Sequence, residues 1–402
     1  MVTIEKPPDM PLTYLKKQYR ARQTRWTPTG DQFAFADSVD FLNHEHWDLA
    51  SAGSGPLFGR AYLACLEAHK PAQLSFKYAL VYRQGQPVAC LVMQVLDSDL
   101  SVFLPRNSPL AHGGRLLSTR IFICGSLLCW GNRGVAVRQG IKPETVWPSV
   151  AEAIYRVRRS ARLSGETDFV LVRDLPSAHP DSAILEDYSY STVDVEADMV
   201  LNLRDWKSYD DYLGSLQSKY RKAAKDVLKN ISKAGCVVEE LADFESYEQR
   251  LFELYRAVWS EADVRPVEFS PRYLGALKYA LGEDYAYLVI RRDQDILGFV
   301  TLIRDGETAI GYILGFDREE AKQLPLYLRL LHAVVQRGLE WGCRRVSFGG
   351  TALEPKARLG AEPEPRQVWA RHRLAPLNVL VKPLLESFSP QQPPERNPFK
   401  KK

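Results

Sequence analysis

Hydrophobic and polar positions along the chain define an order of elements that occurs twice. In the first half, Ser75–Arg83 (SFKYALVYR) predicts a strand, Gln84-Gly85-Gln86 a turn, and Pro87–Leu96 a second strand. Arg120–Trp130 (RIFICGSLLCW) predicts a third, and a Gly-rich loop, Gly131–Gly140, follows it. Val150, Ala153, Ile154, Val157 and Ala161 recur at helical spacing and predict a helix over Pro148–Leu163, stopped by Gly165. Asp168–Asp174 (DFVLVRD) predicts a short buried strand.

The second half repeats this order. Tyr285–Arg291, Ile296–Ile303 and Thr308–Phe316 predict three strands, the last two joined by an Asp305-Gly306 hairpin turn. Leu328, Leu331, Val335 and Leu339 share one face of a helix over Pro325–Trp341, with Gly342 as its stop. Arg345–Gly349 is the closing strand. Three antiparallel strands, a crossover helix and a returning parallel strand make an α+β unit. Its recurrence predicts two tandem domains with mixed, mostly antiparallel sheets flanked by helices and a groove between them. The expected divisions are a basic N-terminal segment at 1–30, domains at 31–202 and 203–375, and a C-terminal segment with a Pro/Lys-rich tail at 376–402.

Length and composition fit this plan. A chain of 402 residues exceeds one hydrophobic core, and 45% hydrophobic with 25% charged residues is globular composition. The net charge of +4 is too small to mark an anion-binding protein, so any such role rests on local clusters. Met1–Pro11 lacks the apolar run of a signal peptide, and the longest uncharged stretch, Ile121–Asn132, is short of the roughly 20 residues of a membrane span. The expectation is a cytoplasmic protein, with room for peripheral contact with an anionic inner-membrane face. The six cysteines lack metal-ligand spacing, so no metal is expected. The tail from Ser389, rich in Pro and ending in Lys400-Lys401-Lys402, predicts disorder.

The repeated order resembles the N-acetyltransferase (GNAT) core, and the chain is similar to the double-GNAT branch that includes the Fem peptidoglycan aminoacyltransferases. Ser218–Gly235 (SKYRKAAKDVLKNISKAG), followed by strand-like Cys236–Leu241, resembles the basic helix opening the second Fem domain. Ile296–Val300 (ILGFV), Leu326-Tyr327, Phe348-Gly349-Gly350 and Lys356–Ala361 (KARLGA) resemble its middle strand, crossover helix, closing strand and Lys-x-x-x-Gly segment. The resemblance covers about 205–365; the first half matches in architecture more than in motif. The long helical hairpin that binds transfer RNA in Fem proteins is missing, which leaves room for thioester-using relatives such as the bacterial ceramide synthases.

The resemblance implies acyl transfer to an amine. That reaction needs a polarised carbonyl, a base for the acceptor ammonium and a proton for the leaving group. The catalytic candidates are His332 or Glu354 as base, Tyr327 or Tyr312 as acid, and Lys356 from the family-like segment, with Tyr312 also placed to touch substrate. Each has a bland alternative, a buried histidine bonded to backbone or an aromatic that only packs. Gly131, Arg133, Gly134, Arg138 and Gly140 could cradle the phosphates of coenzyme A, although the loop departs from the GNAT pyrophosphate pattern. The equivalent second loop carries Asp317, Glu319 and Glu320 where a phosphate would sit. Lys219, Arg221, Lys222 and Lys225 open a basic helix face that could attract a phosphate-bearing partner or remain solvated. Leu374–Phe388 could lie on a membrane surface or dock back onto the fold.

The leading expectation is an N-acyltransferase drawing on acyl-CoA or acyl carrier protein as co-substrate, with no tightly bound cofactor and an amphiphilic amine such as a sphingoid base as acceptor. A Fem-type transferase, the only reading that calls for transfer RNA, and a non-catalytic GNAT-like binding protein stay open. No reading involves DNA.

Overall fold

The computed structural model describes residues 27–99, 118–131, 134–160, 165–176, 180–262, 267–386, 392 and 394–400. The basic stretch Lys16–Trp26, Arg133 and Lys401-Lys402 lie outside them.

The first half opens with β1 (Gln32–Ala36), α1 (His44–Ser51) and α2 (Arg60–His69). The hairpin β2 (Leu74–Arg83) and β3 (Gln86–Asp99) turns at Gln84-Gly85, both with positive φ, the geometry that matches strand twist. β4 (Ser118–Cys124), β5 (Val135–Val137), α3 (Trp147–Ser160), β6 (Phe169–Pro176) and β7 (Ser191–Asn202) complete it. The second half runs α4 (Tyr209–Ser215), α5 (Ser218–Lys233), β8 (Cys236–Glu240), α6 (Glu248–Trp259) and α7 (Tyr273–Leu281). It continues with β9 (Tyr285–Arg292), β10 (Asp295–Asp305), β11 (Thr308–Phe316), α8 (Leu326–Glu340), β12 (Arg345–Ser347), α9 (Leu353–Arg358), β13 (Glu362–His372) and α10 (Ala375–Glu386). A reciprocal Ser208/Asp211 capping box starts α4 at the junction between halves.

The repeated module is present in both halves. β2, β3 and β4 are antiparallel, α3 crosses over, and β6 returns parallel to β4. β9, β10 and β11 are antiparallel, α8 crosses over, and β12 returns parallel to β11. The expectation of two separate sheets is corrected. One sheet runs β1-β2-β3-β4-β6-β13-β7-β12-β11-β10-β9-β8, with β5 on β3. It is continuous because the halves exchange their last strands. β7, at the end of the first half, pairs with β12, while β13 inserts between β6 and β7. The cores follow suit. Trp47, Tyr78 and Leu80 of the first half share one cluster with Tyr273, Tyr287 and Phe299 of the second. Met199 and Leu201 on β7 pack into the core under α8.

Two further expectations are corrected. The third strand of the first half ends at Cys124, and the remainder of Arg120–Trp130 leaves the sheet. The tail is ordered where it is described. Gln217 donates to the carbonyls of Asn397 and Phe399 at 2.9 and 3.0 Å, and Phe399 is buried against Trp206 and under the Arg204 guanidinium. The segment after Leu374 forms α10 and packs on β13, with Val381 buried. Among the described residues, no helix is long and apolar enough to cross a membrane.

Candidate active site

β11 and β12 pair only over Thr308–Ile310 and Arg345–Ser347. Beyond that point they diverge, and among the described residues the β12-facing edge of Tyr312–Phe316 has no strand partner. Backbone donors on such an edge are free to polarise a carbonyl. A cavity of about 450 Å³ occupies the divergence, between Gly311–Leu314, Tyr327 and Leu331 of α8, and Phe348–Ala352 with Lys356. Glycine is required at two places here. Gly349 in the wall has φ of 74°, the left-handed region, and behind the wall a Cβ on Gly315 of β11 would sit 2.6 Å from the α6 backbone.

Lys356 is buried at this cavity, with Nζ donating to the carbonyls of Phe348 at 2.7 Å and Gly349 at 3.0 Å. Burial pushes its ammonium down from 10.5 to about 7, against a smaller upward pull from Asp198. A neutral lysine has two N–H donors, both engaged here, and a lone pair left over.

A polar chain across the exchanged strands holds this wall. Asp198, on β7, accepts from Ser347 Oγ at 2.8 Å and from the Gly349 N–H at 3.0 Å, with Arg366 of β13 at 3.5 Å. Trp130 Nε1, from the first half, donates to Ser347 Oγ at 3.0 Å, and its ring lies against Gly349. Asp174 on β6 is buried beside Arg173; burial raises its carboxyl above the usual range, with both arginines opposing. Asp198, Arg366, Ser347 and Trp130 were missed by the sequence reading. The only local signal is the charge of Asp198 and Arg366 inside strand-like segments, and the contacts that join the four span more than a hundred residues.

The predicted residues divide between this cavity and a neighbouring groove. Tyr327 lines both, is half-buried, and has its hydroxyl pushed up to about 12 by burial, so it stays protonated. Tyr312 lends its ring to the cavity, but its hydroxyl donates to the Leu128 carbonyl and bonds Tyr273 OH at 2.7 Å. It ties the first half to the second and is unsuited as the acid. His332 faces the groove instead; its Nδ1 shares a 2.8 Å hydrogen bond with Tyr209 OH. Burial, reinforced by Arg329, drives its pKa down to about 3, so it is a weak base. Glu354 is also on the groove, clasped by Arg358 at 2.8 Å and Arg396 at 2.9 Å, which hold its carboxyl below its ordinary value. Neither placement favours His332 or Glu354 as the base.

The described parts of the loops expected to hold phosphate make contacts within the protein. Residues 135–137 form β5 on β3, and Gly134 lies against the Cys124 and Gly125 backbone, where a Cβ would approach to 2.7 Å. Gly134 packs on its own chain, Arg138 reaches the Pro87 carbonyl at 3.5 Å, and Gly131 and Gly140 are positive-φ turn residues, so the described residues of the loop present no open cradle. In the second half, Asp317 Oδ1 accepts from the amides of Glu319 and Glu320 at 2.9 and 3.1 Å. Arg250 pairs with Asp317 and Arg292 with Glu320. The basic face of α5 is different: Lys222 and Lys225 are exposed without an ion pair among the described residues, Lys219 stands at the groove, and Arg221 Nη1 reaches the Gly214 carbonyl at 3.5 Å. The described residues contain no cluster able to hold a metal ion.

A divergent parallel pair between a third strand and a closing strand, joined by a crossover helix, is the geometry expected of the resemblance. Residues 218–363 match the family described as Acetyltransferase (GNAT) domain. The chain has an α+β fold of two GNAT-type units. The crystal structure of FemX superposes with a TM-score of 0.52, covering 91% of this chain and 98% of that one at 10% identity, which extends the shared fold through both halves. A tandem GNAT protein from the clavulanic acid biosynthesis pathway superposes with a TM-score of 0.49 at 16% identity, over 85% of this chain and 98% of that one. "Putative 8-amino-7-oxononanoate synthase 2" from two strains of Mycobacterium tuberculosis, CDC 1551 / Oshkosh and H37Rv, is 25% identical over 284 residues. That match takes in 69% of this chain but spans only 36% of the relative's length.

Proposed function

We propose that this chain is an N-acyltransferase that moves an acyl group from a thioester, acyl-CoA or acyl carrier protein, to the amine of an amphiphilic acceptor. The observation that carries the reading is Lys356, a buried lysine near neutrality at the divergence of β11 and β12. Its lone pair takes a proton from the acceptor ammonium. The freed nitrogen attacks the thioester carbonyl, whose oxygen gathers charge against the unpartnered edge of β11. The C–N bond forms, the C–S bond breaks, the leaving thiolate takes its proton from Tyr327, the tyrosinate takes back the second proton of the substituted nitrogen, and Lys356 releases the first to solvent. The first half supplies support through Asp198 and Trp130.

The exposed Lys222 and Lys225 of α5, without an ion pair among the described residues, suit contact with a donor's phosphates.

The test is thiol release from palmitoyl-CoA by the purified protein, with and without a long-chain amine. Release that depends on the amine and disappears in Lys356→Met supports the reading. Transfer that requires charged transfer RNA and is lost after ribonuclease would replace it with the Fem-type reaction, and folded protein without turnover on either would favour a binding role.

A further inference from the structure

A second cavity, about 500 Å³, lies between α5, α8 and α9. Its volume is in the range of small-molecule sites. Resting on the transferase reading, we infer that this groove holds the aliphatic chain of a substrate whose reacting end lies at Lys356.

Four observations converge. The lining is apolar: Leu216, Ala224, Val227 and Leu359 form its walls with the ring of Tyr220. His332, the buried polar side chain of the lining, is held neutral by burial and bonded to Tyr209, so an apolar chain meets no buried charge there. Tyr327 lines both this groove and the reaction cavity, so the two adjoin at a single ring. The mouth carries Lys219, Arg358 and Arg396 against one carboxylate, Glu354, an excess of positive charge that complements an anionic or phosphate-bearing end.

Ala223 makes the room. It is exposed on α5 and faces the groove, where a larger side chain would fill the space. The same chemistry could come from the acyl donor or from the acceptor amine, and substrate series distinguish them. Wild-type affinity should rise about fourfold for each methylene added, the effect of burying one CH₂. It should do so along the donor series if the donor's chain occupies the groove, or along the acceptor series if the acceptor's does.

The experiment measures chain-length dependence in wild type and Ala223→Trp, with Ala223→Leu as a milder filling should the tryptophan impair folding. Binding of cis-parinaric acid, read by fluorescence, is followed in parallel and needs no catalysis. The inference predicts that the filled variants flatten the chain-length dependence and weaken the probe at least tenfold. A dependence and probe affinity unchanged in both folded variants would overturn it even with turnover intact. Probe binding that the variants abolish, in a protein without transferase activity, would keep the groove and remove the reaction. A dimer that Ala223→Trp dissociates would assign the groove to a second copy and overturn the inference.

Discussion

The two units contain the same strand-helix-strand module, and they treat the point of divergence in opposite ways. In the first, the chain leaves β4 at Gly125 and folds back over the gap. The Gly125 amide donates to the Val92 carbonyl at 3.0 Å, and Gln94 accepts from the Leu127 amide at 2.8 Å. Arg173 donates to the Ser126 carbonyl at 2.7 Å. Backbone donors that could face a ligand are engaged within the protein. In the second, β11 and β12 part after three residue pairs, and Lys356 borders the resulting cavity. The difference teaches that a repeated fold need not repeat the opening between its strands. The closed unit braces the open one, through Trp130 on Ser347 and Asp198 on Gly349.

The strongest way to break this contrast is Lys356→Met. It should lower turnover by about 100-fold or more, the usual cost of losing a general base, while the protein stays folded. Equal rates would remove the distinction between the units. Next comes Gly134→Ala in the closed unit, where the new Cβ meets the Gly125 amide at 2.7 Å. Thermal or denaturant unfolding should report a loss of about 1–3 kcal/mol, as for overpacking, with turnover per folded molecule retained. A loss of turnover without a loss of stability would place chemistry in the first unit.

A third comparison uses stability alone. Lys356 has its ammonium near 7 when folded and near 10.5 when unfolded, so between those values the unfolded chain binds the extra proton. Stability of the wild type relative to Lys356→Met should therefore rise as pH increases from about 7 to 10.5, by a few kcal/mol at most. A flat difference across that window would mean the lysine is charged in its site. The smallest effect belongs to His332→Gln. Turnover should change by less than about tenfold, because a residue with a pKa near 3 is not the base. A larger fall with normal folding would restore His332 to the reaction.

How much of this was legible in the sequence follows from which contacts are local. The three-strand runs and crossover helices have strong periodicity and a nearby turn or stop, and Thr308–Phe316 matches β11 residue for residue. The seam strands carry no such pattern. β13 reads Glu-Pro-Glu-Pro-Arg, with charges and two prolines beside a register shift, and it is a strand because β6 and β7 flank it. Lys356 and Tyr327 stand in family-like segments, and the structure places both at the cavity. His332 and Glu354 stand out by residue type, and type says nothing of the burial and Arg329 that lower His332 or of the Arg358 and Arg396 that pair with Glu354. Asp198 and Trp130 were not visible, since strand exchange sets their partners. The tail was read from composition, which misses Phe399 in its pocket.

The pH dependence of amine acylation, compared between wild type and Lys356→Met, tests the central claim most directly. Wild-type kcat/KM should climb with an apparent pKa of about 7 as Lys356 sheds its proton, and the variant should lose that limb along with most of its rate. A variant that keeps both the rate and the limb would show that the proton is handled elsewhere and that the open divergence is not the reaction centre.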